Sequence, residues 1–452
     1  MSRTVELLVP NQAEYFLRNP ALTLQGEERA RVIRFGGTYE CEHSVFWSTA
    51  DRVLLLPEGY DPVWFADVHE ALGVAEPPVV TAERRSGLLV QDFLGDGPAQ
   101  QRLRELVSGA SEVSVLMFGP TPSVYQLAAT LRGWGLEVSL DCVAEQDYWA
   151  SVYLDSKISC LDLARRMPQV NVADGMTVGS HEELGGALEW MVERHGAVIV
   201  RSLHGVAGDG SSVVRAGDGA VEAFLDKAAR DSFFVYPLLV QKFVEHAEGV
   251  GCPAVDLLVD DDGVRDVVLC SLTVDDGHLF RSVNVGAGAL PPEWAERVTQ
   301  VAHDLGNAAR ELGYRGWMCV DCVAGTDDRL YVTEINARRS GSIHAGSLMR
   351  EWDVVGQMTM SAHFMVPVPP GRTYEEHVRP IFQELWAEGV RAYPTTVRGM
   401  GWPEPIIAVL AGGSTAQEAE DVVARIRAAV SPPEEQEGVV DQAGESALTL
   451  VG

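Results

Sequence analysis

The sequence predicts an α/β protein built from several units, and three observations carry that prediction. Its 452 residues exceed what one hydrophobic core usually organises. The first 150 residues alternate strand-length apolar runs with amphipathic stretches, the rhythm of a parallel sheet crossed by helices. Turn signals then punctuate a β-rich stretch from 252 to 290, and a hairpin pattern occupies residues 316–339.

Taken in order, Arg52–Pro57 reads as a buried strand and residues 64–72 as an amphipathic helix. A second strand over 113–118 ends at Gly119-Pro-Thr-Pro122. Ser123 is placed to cap a helix to 132, and Gly135 precedes a strand over Glu137–Leu140. A second alternation follows from 150 to 245. It has helices near 161–166, 182–194 and 221–230, strands at 197–201 and 236–243, and a glycine loop between. Turns at Asp261-Asp-Gly263 and Asp275-Asp-Gly277 divide the β-rich part, and a helix over 293–312 leads into the hairpin. A last α/β unit runs from about 372 to 430 and ends in an acidic tail, Pro432-Pro-Glu-Glu-Gln-Glu, whose composition predicts disorder.

Composition excludes several classes of function. A net charge of −30 argues against non-specific nucleic-acid binding and for a self-repelling, soluble surface. No apolar stretch approaches the roughly 18 residues that span a membrane, and the N-terminus lacks a signal peptide's apolar core. Seven scattered cysteines, an odd number, imply a reduced, cytoplasmic setting. Cys319-Val-Asp-Cys322 has zinc spacing without a second ligand pair, so both read as small core residues. Neither nucleic acid nor membrane is an expected partner; a homodimer is left open.

The hairpin carries the chemistry. With Asp327-Asp328 at its tip, Asp321 pairs across the ladder with Glu334. Glu334, Asn336 and Arg338 share a face because strand side chains alternate. Two carboxylates about 5.5 Å apart at Cβ repel one another unless a cation lies between them. Asp, Glu and the amide oxygen of Asn form the hard-oxygen set that holds magnesium, and Arg338 can fork onto a phosphate or carboxylate.

Other segments gain meaning in combination. The chain has only three lysines, Lys157, Lys227 and Lys242. Strand 197–201 ends in Arg201 and is followed by Gly205-Val-Ala-Gly208-Asp-Gly210, a loop whose N–H groups can approach phosphate. The run Gln241-Lys242-Phe243-Val244 leads out of a strand, where free backbone groups can imitate base pairing to adenine. Glu248 beyond it could accept from ribose hydroxyls. Taken singly, each of these reads more readily as a surface charge, an ordinary turn or a buried strand.

In this order the motifs resemble the ATP-grasp superfamily. Lys157 comes first, then Arg201 with the Gly205–Gly210 loop, Gln241-Lys-Phe-Val244, Asp321, and Glu334-Ile-Asn-Ala-Arg338. The match covers roughly residues 150–345. It implies a two-lobed fold, α+β in its core, with a small flap-bearing lobe at 151–245 and a core lobe with a metal site at 246–370. The flanks more narrowly resemble the pheganomycin-type peptide ligases, which implies a pre-ATP-grasp α/β domain at 1–150 and a small C-terminal domain with the tail at 371–452. Arg338-Arg-Ser-Gly-Ser-Ile-His344 looks like that group's continuation past the metal site.

The resemblance implies ATP and two Mg²⁺ ions, with Asp321, Glu334 and Asn336 as metal ligands. Lys157, Arg201 and Arg338 are then the catalytic cations on the phosphates. Gly208, Gly210, Gln241, Lys242, Phe243, Val244 and Glu248, with Lys157 and Arg201, hold the nucleotide. Arg339, Ser340 and His344 hold the substrate. Small-molecule acid and amine substrates would join by an acyl phosphate to form an amide, in specialised metabolism such as antibiotic biosynthesis. The departures are Arg201 where the superfamily usually has Lys, and Gln241 where Glu is common. A nucleotide-binding protein without turnover is the alternative. An oxidoreductase would need the Gly-x-Gly-x-x-Gly turn that the N-terminal alternation lacks.

Overall fold

The computed structural model describes residues 3–19, 22–203, 210–275 and 279–431. Apolar runs make β1 (Thr4–Val9), β2 (Arg52–Pro57), β3 (Val79–Ala82), β4 (Glu112–Met117) and β5 (Glu137–Leu140). These form a parallel sheet in the order β3-β2-β1-β4-β5. The winding reverses between β1 and β4, the point at which such sheets leave a crevice at the strands' carboxyl ends. Asn11 bridges that point. Its side chain donates to the Gly119 carbonyl at 2.9 Å and accepts from Phe118 N at 3.1 Å. Gly119 is required there, because a Cβ would meet the Tyr15 ring at 2.4 Å and Arg338 Cβ at 3.0 Å. Between β1 and β2, helix Gly26–Arg34 passes into a π-helical turn, Phe35–Tyr39, and then a 3₁₀ segment, Glu40–Phe46.

A second sheet is antiparallel, with strands β6 (Gly175–Val178), β7 (Ala197–Ser202), β8 (Ser211–Arg215) and β9 (Leu238–Lys242) in the order β6-β9-β7-β8. Helices His181–His195 and Ala220–Ala228 bury their apolar stripes with it in one core. The first starts where Ser180 accepts from Glu183 N at 3.2 Å and finishes with basic Arg194 and His195, which suits its dipole.

The third sheet has eight strands: β10 (Cys252–Val259), β11 (Val264–Asp275), β12 (Leu279–Gly286), β13 (Gly316–Ala324), β14 (Leu330–Asn336), β15 (Thr359–Pro367), β16 (Ala392–Thr396) and β17 (Ile406–Gly413). Their order is β14-β13-β10-β11-β12-β15-β17-β16. Val255, Leu257, Met318 and Val320 point to one face, covered by helices Pro292–Glu311, Tyr148–Leu154 and Lys157–Arg165. Ala254 and Cys319 point to the other, in a core shared with Leu8, Trp64 and Phe65 of the N-terminal unit. The expected 371–452 unit therefore shares its sheet with the 246–370 stretch. Strand β17 is buried along Ile406–Ala411, and such a run needs cover on both faces and partners on both edges. The acidic tail lies outside the described residues, as do Gly205 and Gly208 of the glycine loop. Among the described residues no helix is long and apolar enough to cross a membrane.

Candidate active site

The β13–β14 hairpin sets the geometry. Its register puts Asp321 opposite Glu334 and Cys319 opposite Asn336, the pairing expected from the sequence, with a bulge just after Asp321. Thr333 Oγ1 donates to the Asp321 carbonyl at 3.0 Å and pins the bulge. Burial raises the Asp321 carboxyl, and the charge of Glu334 raises it further. Burial also opposes ionisation of Glu334, yet Lys157 and Arg201 outweigh it and hold that carboxyl below its usual range. Lys157 Nζ lies 2.7 Å from Glu334 Oε2, delivered by the first residue of helix Lys157–Arg165.

Asn336 is inserted between the two acids. Its Nδ2 donates to Asp321 Oδ2 at 2.7 Å and reaches Glu334 Oε1 at 3.4 Å, while its Oδ1 accepts from Arg338 Nη2 at 2.8 Å. The metal-ligand reading expected the amide oxygen on the carboxylate side. Here the amino group stands there, the orientation that two anions impose; a half turn of the amide exchanges the two. Among the described residues no three His, Cys, Asp or Glu side chains form a metal cluster, so the set is two carboxylates and one amide.

Arg201, from the end of β7, donates to Gln241 Oε1, and its buried Nε has no partner among the described residues. Gln241 Nε2 in turn donates to the Ala173 carbonyl at 3.3 Å. The two departures from the superfamily pattern thus bond to each other. A narrow pocket opens beside them, lined by Ile199, Gln241, Lys242, Phe243, Val244 and Tyr331 among others. Gly210 precedes β8 with φ +75°, and Ser202 N donates to its carbonyl at 2.8 Å. Glu248 lies on an exposed turn outside the pocket lining.

Past the hairpin the residues expected on phosphate and on substrate separate. Arg338 stays beside Asn336 with its guanidinium 5.2 Å from the Phe118 ring, and its buried Nε has no partner among the described residues. Arg339 goes elsewhere. It donates to the Met117 carbonyl at 3.1 Å, pairs with Asp141, and has the Trp47 and Trp317 rings 5.2 and 5.6 Å from its guanidinium. That side chain ties the core to the N-terminal sheet. Ser340 is also occupied, donating at 2.7 Å to Asp256 Oδ2 together with Ser342. His344 stacks on His43 at 4.8 Å, and burial lowers it to about 4 against the opposing backbone contact at Gly341, so the ring is neutral.

Sequence reasoning missed Asp155, Asp256, Tyr15, Glu40 and His43. Asp155 pairs with Arg18 at 2.6 Å and accepts from Ala337 N at 3.2 Å, while Tyr15 OH donates to the Ala337 carbonyl at 3.4 Å. The one available signal was Asp256, a lone acid inside the apolar run Ala254–Val259.

Residues 187–342 match the family model of the ATP-grasp domain. The chain carries an ATP-grasp domain, and its fold extends that likeness to both sides of the matched segment. The biotin carboxylase domain of Hydrogenobacter thermophilus 2-oxoglutarate carboxylase, crystallised with MgADP, ADP and bicarbonate, is similar with a TM-score of 0.54 at 13% identity, over 92% of this chain and 88% of that one. L-amino acid ligase from Bacillus licheniformis is similar with a TM-score of 0.52 at 12% identity, over 95% and 98%. N5-carboxyaminoimidazole synthase from Aspergillus clavatus, in complex with ADP and 5-aminoimidazole ribonucleotide, gives 0.51 at 14%, over 95% and 98%. At these identities the likeness is one of fold.

Proposed function

We propose that the protein is an ATP-dependent carboxylate–amine ligase. The observation that carries this reading is the convergence of Lys157, Arg201 and Arg338 on the opposed carboxylates of Asp321 and Glu334. A hairpin gains nothing from facing two half-buried acids unless cations complete the site. Two carboxylates and an amide that can turn its oxygen inward suit magnesium, whose hard-oxygen preference excludes none of them. Magnesium ions, when bound, shield phosphate charge and lower its repulsion toward an attacking carboxylate.

The residues of the chain do the rest. Asp321, Glu334 and Asn336 would hold the ions. Lys157, Arg201 and Arg338 would meet phosphate oxygens as charge builds, in a setting dry enough for each contact to count. The Nε atoms of Arg201 and Arg338, without a partner among the described residues, are donors suited to that purpose. Lys242 N and Phe243 N already donate to the Asp174 and Ala197 carbonyls, so recognition of adenine falls to the strand end at Val244. The acid substrate would take the γ-phosphoryl group of ATP as an acyl phosphate, and an amine would displace phosphate to form the amide. Peptide-bond formation in specialised metabolism is the narrower reading that the pheganomycin-type resemblance supports.

The test is phosphate release from ATP across pairs of carboxylic acids and amines, with mass spectrometry of the products. A pair that releases phosphate and yields a condensed mass supports the reading. ADP formation at background for every pair, with MgATP still bound, would establish a nucleotide-binding protein without turnover.

A further inference from the structure

The N-terminal unit sends one segment into the site that the superfamily motifs do not describe. It leaves the carboxyl end of β1, where the parallel sheet reverses its winding, and returns as the π-helical turn Phe35–Tyr39 and the 3₁₀ segment Glu40–Phe46. Crevices at such reversal points are where α/β sheets bind ligands, and π-helical turns cluster at functional sites.

Contacts from three directions fix the segment. Gln12 Nε2 donates to the Glu40 carbonyl at 3.2 Å, and Tyr39 OH donates to the Phe364 carbonyl at 2.5 Å. Glu42 Oε2 accepts from Thr396 Oγ1 at 2.7 Å and Val397 N at 2.9 Å. His43 lies flat on His344, rings 12° apart, with Phe364 edge-on to both.

Within this fixed frame Glu40 stands out. It keeps partial solvent access, as do Asp321, Glu334, Asn336 and Arg338. Its buried Oε2 nevertheless has no hydrogen-bond partner among the described residues. Burial raises its carboxyl to about 7, and the charge that acts against this is that of Arg338. An ionisable oxygen held rigid, unpartnered and near a cationic site is costly, which points to a ligand that completes it.

We propose that Glu40 receives the ammonium group of the acid substrate, so that this substrate is an amino acid held between Glu40 and Arg338. The assignment rests on the ligase reading for the fate of the carboxylate. Arg338 stands where the carboxylate takes up the phosphoryl group, so its guanidinium meets oxygens of both; Glu40 takes the cationic end, and the neutral His43–His344 pair is the wall beside them. The free amine is then masked as an ammonium salt bridge and cannot act as the nucleophile. Glu40 is a specificity residue; it takes no part in phosphoryl transfer.

The test uses the full chain, with L-alanine against propionate and L-phenylalanine against 3-phenylpropionate. Binding is measured by calorimetry in MgADP, and phosphate release is followed in MgATP with an amine present. The wild type should prefer each amino acid over its des-amino partner by about ten- to a hundredfold, the worth of one charge-assisted contact. Glu40→Gln should abolish that preference and leave MgADP affinity unchanged. Glu40→Asp, which keeps the charge, should recover part of it. If the Gln variant does not fold, Glu40→Asp carries the test alone, since a shortened carboxylate should weaken amino-acid binding and spare the des-amino acids. Equal affinity of the wild type for both partners, or an unchanged preference in the variants, overturns the assignment. Glu40-dependent amino-acid binding without phosphate release would sustain it and sink the ligase reading. Phosphate release indifferent to Glu40 would do the reverse.

Discussion

Replacing Glu334 by Gln separates two forces that the site sets against each other. The substitution keeps shape and removes one charge. It relieves Asp321, whose carboxyl the Glu334 charge holds up, and it strips Lys157 of a counter-ion at 2.7 Å. Breaking a buried pair by removing one partner costs about 3–5 kcal/mol. Two terms offset part of that cost: the amide oxygen can still accept from Lys157, and the repulsion with Asp321 disappears. We expect a net loss of about 1–3 kcal/mol at neutral pH. The sign follows from linkage. Glu334 titrates below its unfolded value, so its stabilisation is full above the ordinary carboxylate range and fades as pH falls through the folded value. Urea unfolding at pH 7.5 and pH 4 should therefore show the gap between variant and wild type narrowing on acidification. Turnover should fall at least about a hundredfold, as a lost metal ligand demands. Wild-type turnover would remove Glu334 from the metal site. A variant more stable than wild type at pH 7.5 would show that repulsion, and not the Lys157 pair, dominates this hairpin.

Other expectations can be checked together. Arg201→Lys should keep substantial activity while Arg201→Ala loses roughly ten- to a hundredfold more, read as kcat/KM, because the charge is what a phosphate needs; an active alanine variant beside a dead lysine variant would make Arg201 a partner of Gln241 only. Nucleotide binding should require Mg²⁺ and favour ATP over GTP by calorimetry, and equal affinities would remove the assignment of Gln241–Val244 to adenine. Glu14 is buried and raised to about 7, so its ionisation costs stability as pH rises through that value. Glu14→Gln, which can still accept from Gln91 N, should gain up to about 3 kcal/mol in denaturant unfolding at pH 8.5 and nothing at pH 4.5. A gain at both pH values would assign the effect to packing.

What the sequence disclosed was local and periodic. Asp321 opposite Glu334 followed from counting back from a turn, and helices His181–His195 and Pro292–Glu311 lie within a residue or two of their amphipathic signals. What stayed hidden was contact between distant segments. Nothing in Glu40-Cys-Glu-His43 marks it as a neighbour of His344, because the sheet topology alone brings them together. Strand β1 carries a weaker signal, because Glu6 interrupts its apolar run beside a polar N-terminus. Arg339 reads from the sequence as a substrate-holding charge beside Arg338; only the positions of Asp141 and the two tryptophans show what it pairs with. The π-helical turn at Phe35–Tyr39 has no periodic signature at all, although the Gly36-Gly37 pair marks close packing there.

The eight-stranded sheet has a consequence for how the chain is made. The N-terminal parallel sheet is complete once residue 140 has left the ribosome, so it can fold while the rest is still being synthesised. The core sheet cannot, since β15 waits for β17, and β17 emerges only after residue 413. Until then the outer edge of β15 is an open ladder, the kind of surface that recruits a second nascent chain. A chain ending at residue 371 should therefore stay soluble only while tethered to the ribosome and aggregate on release, and a released 1–371 fragment that remains monomeric by light scattering would refute this.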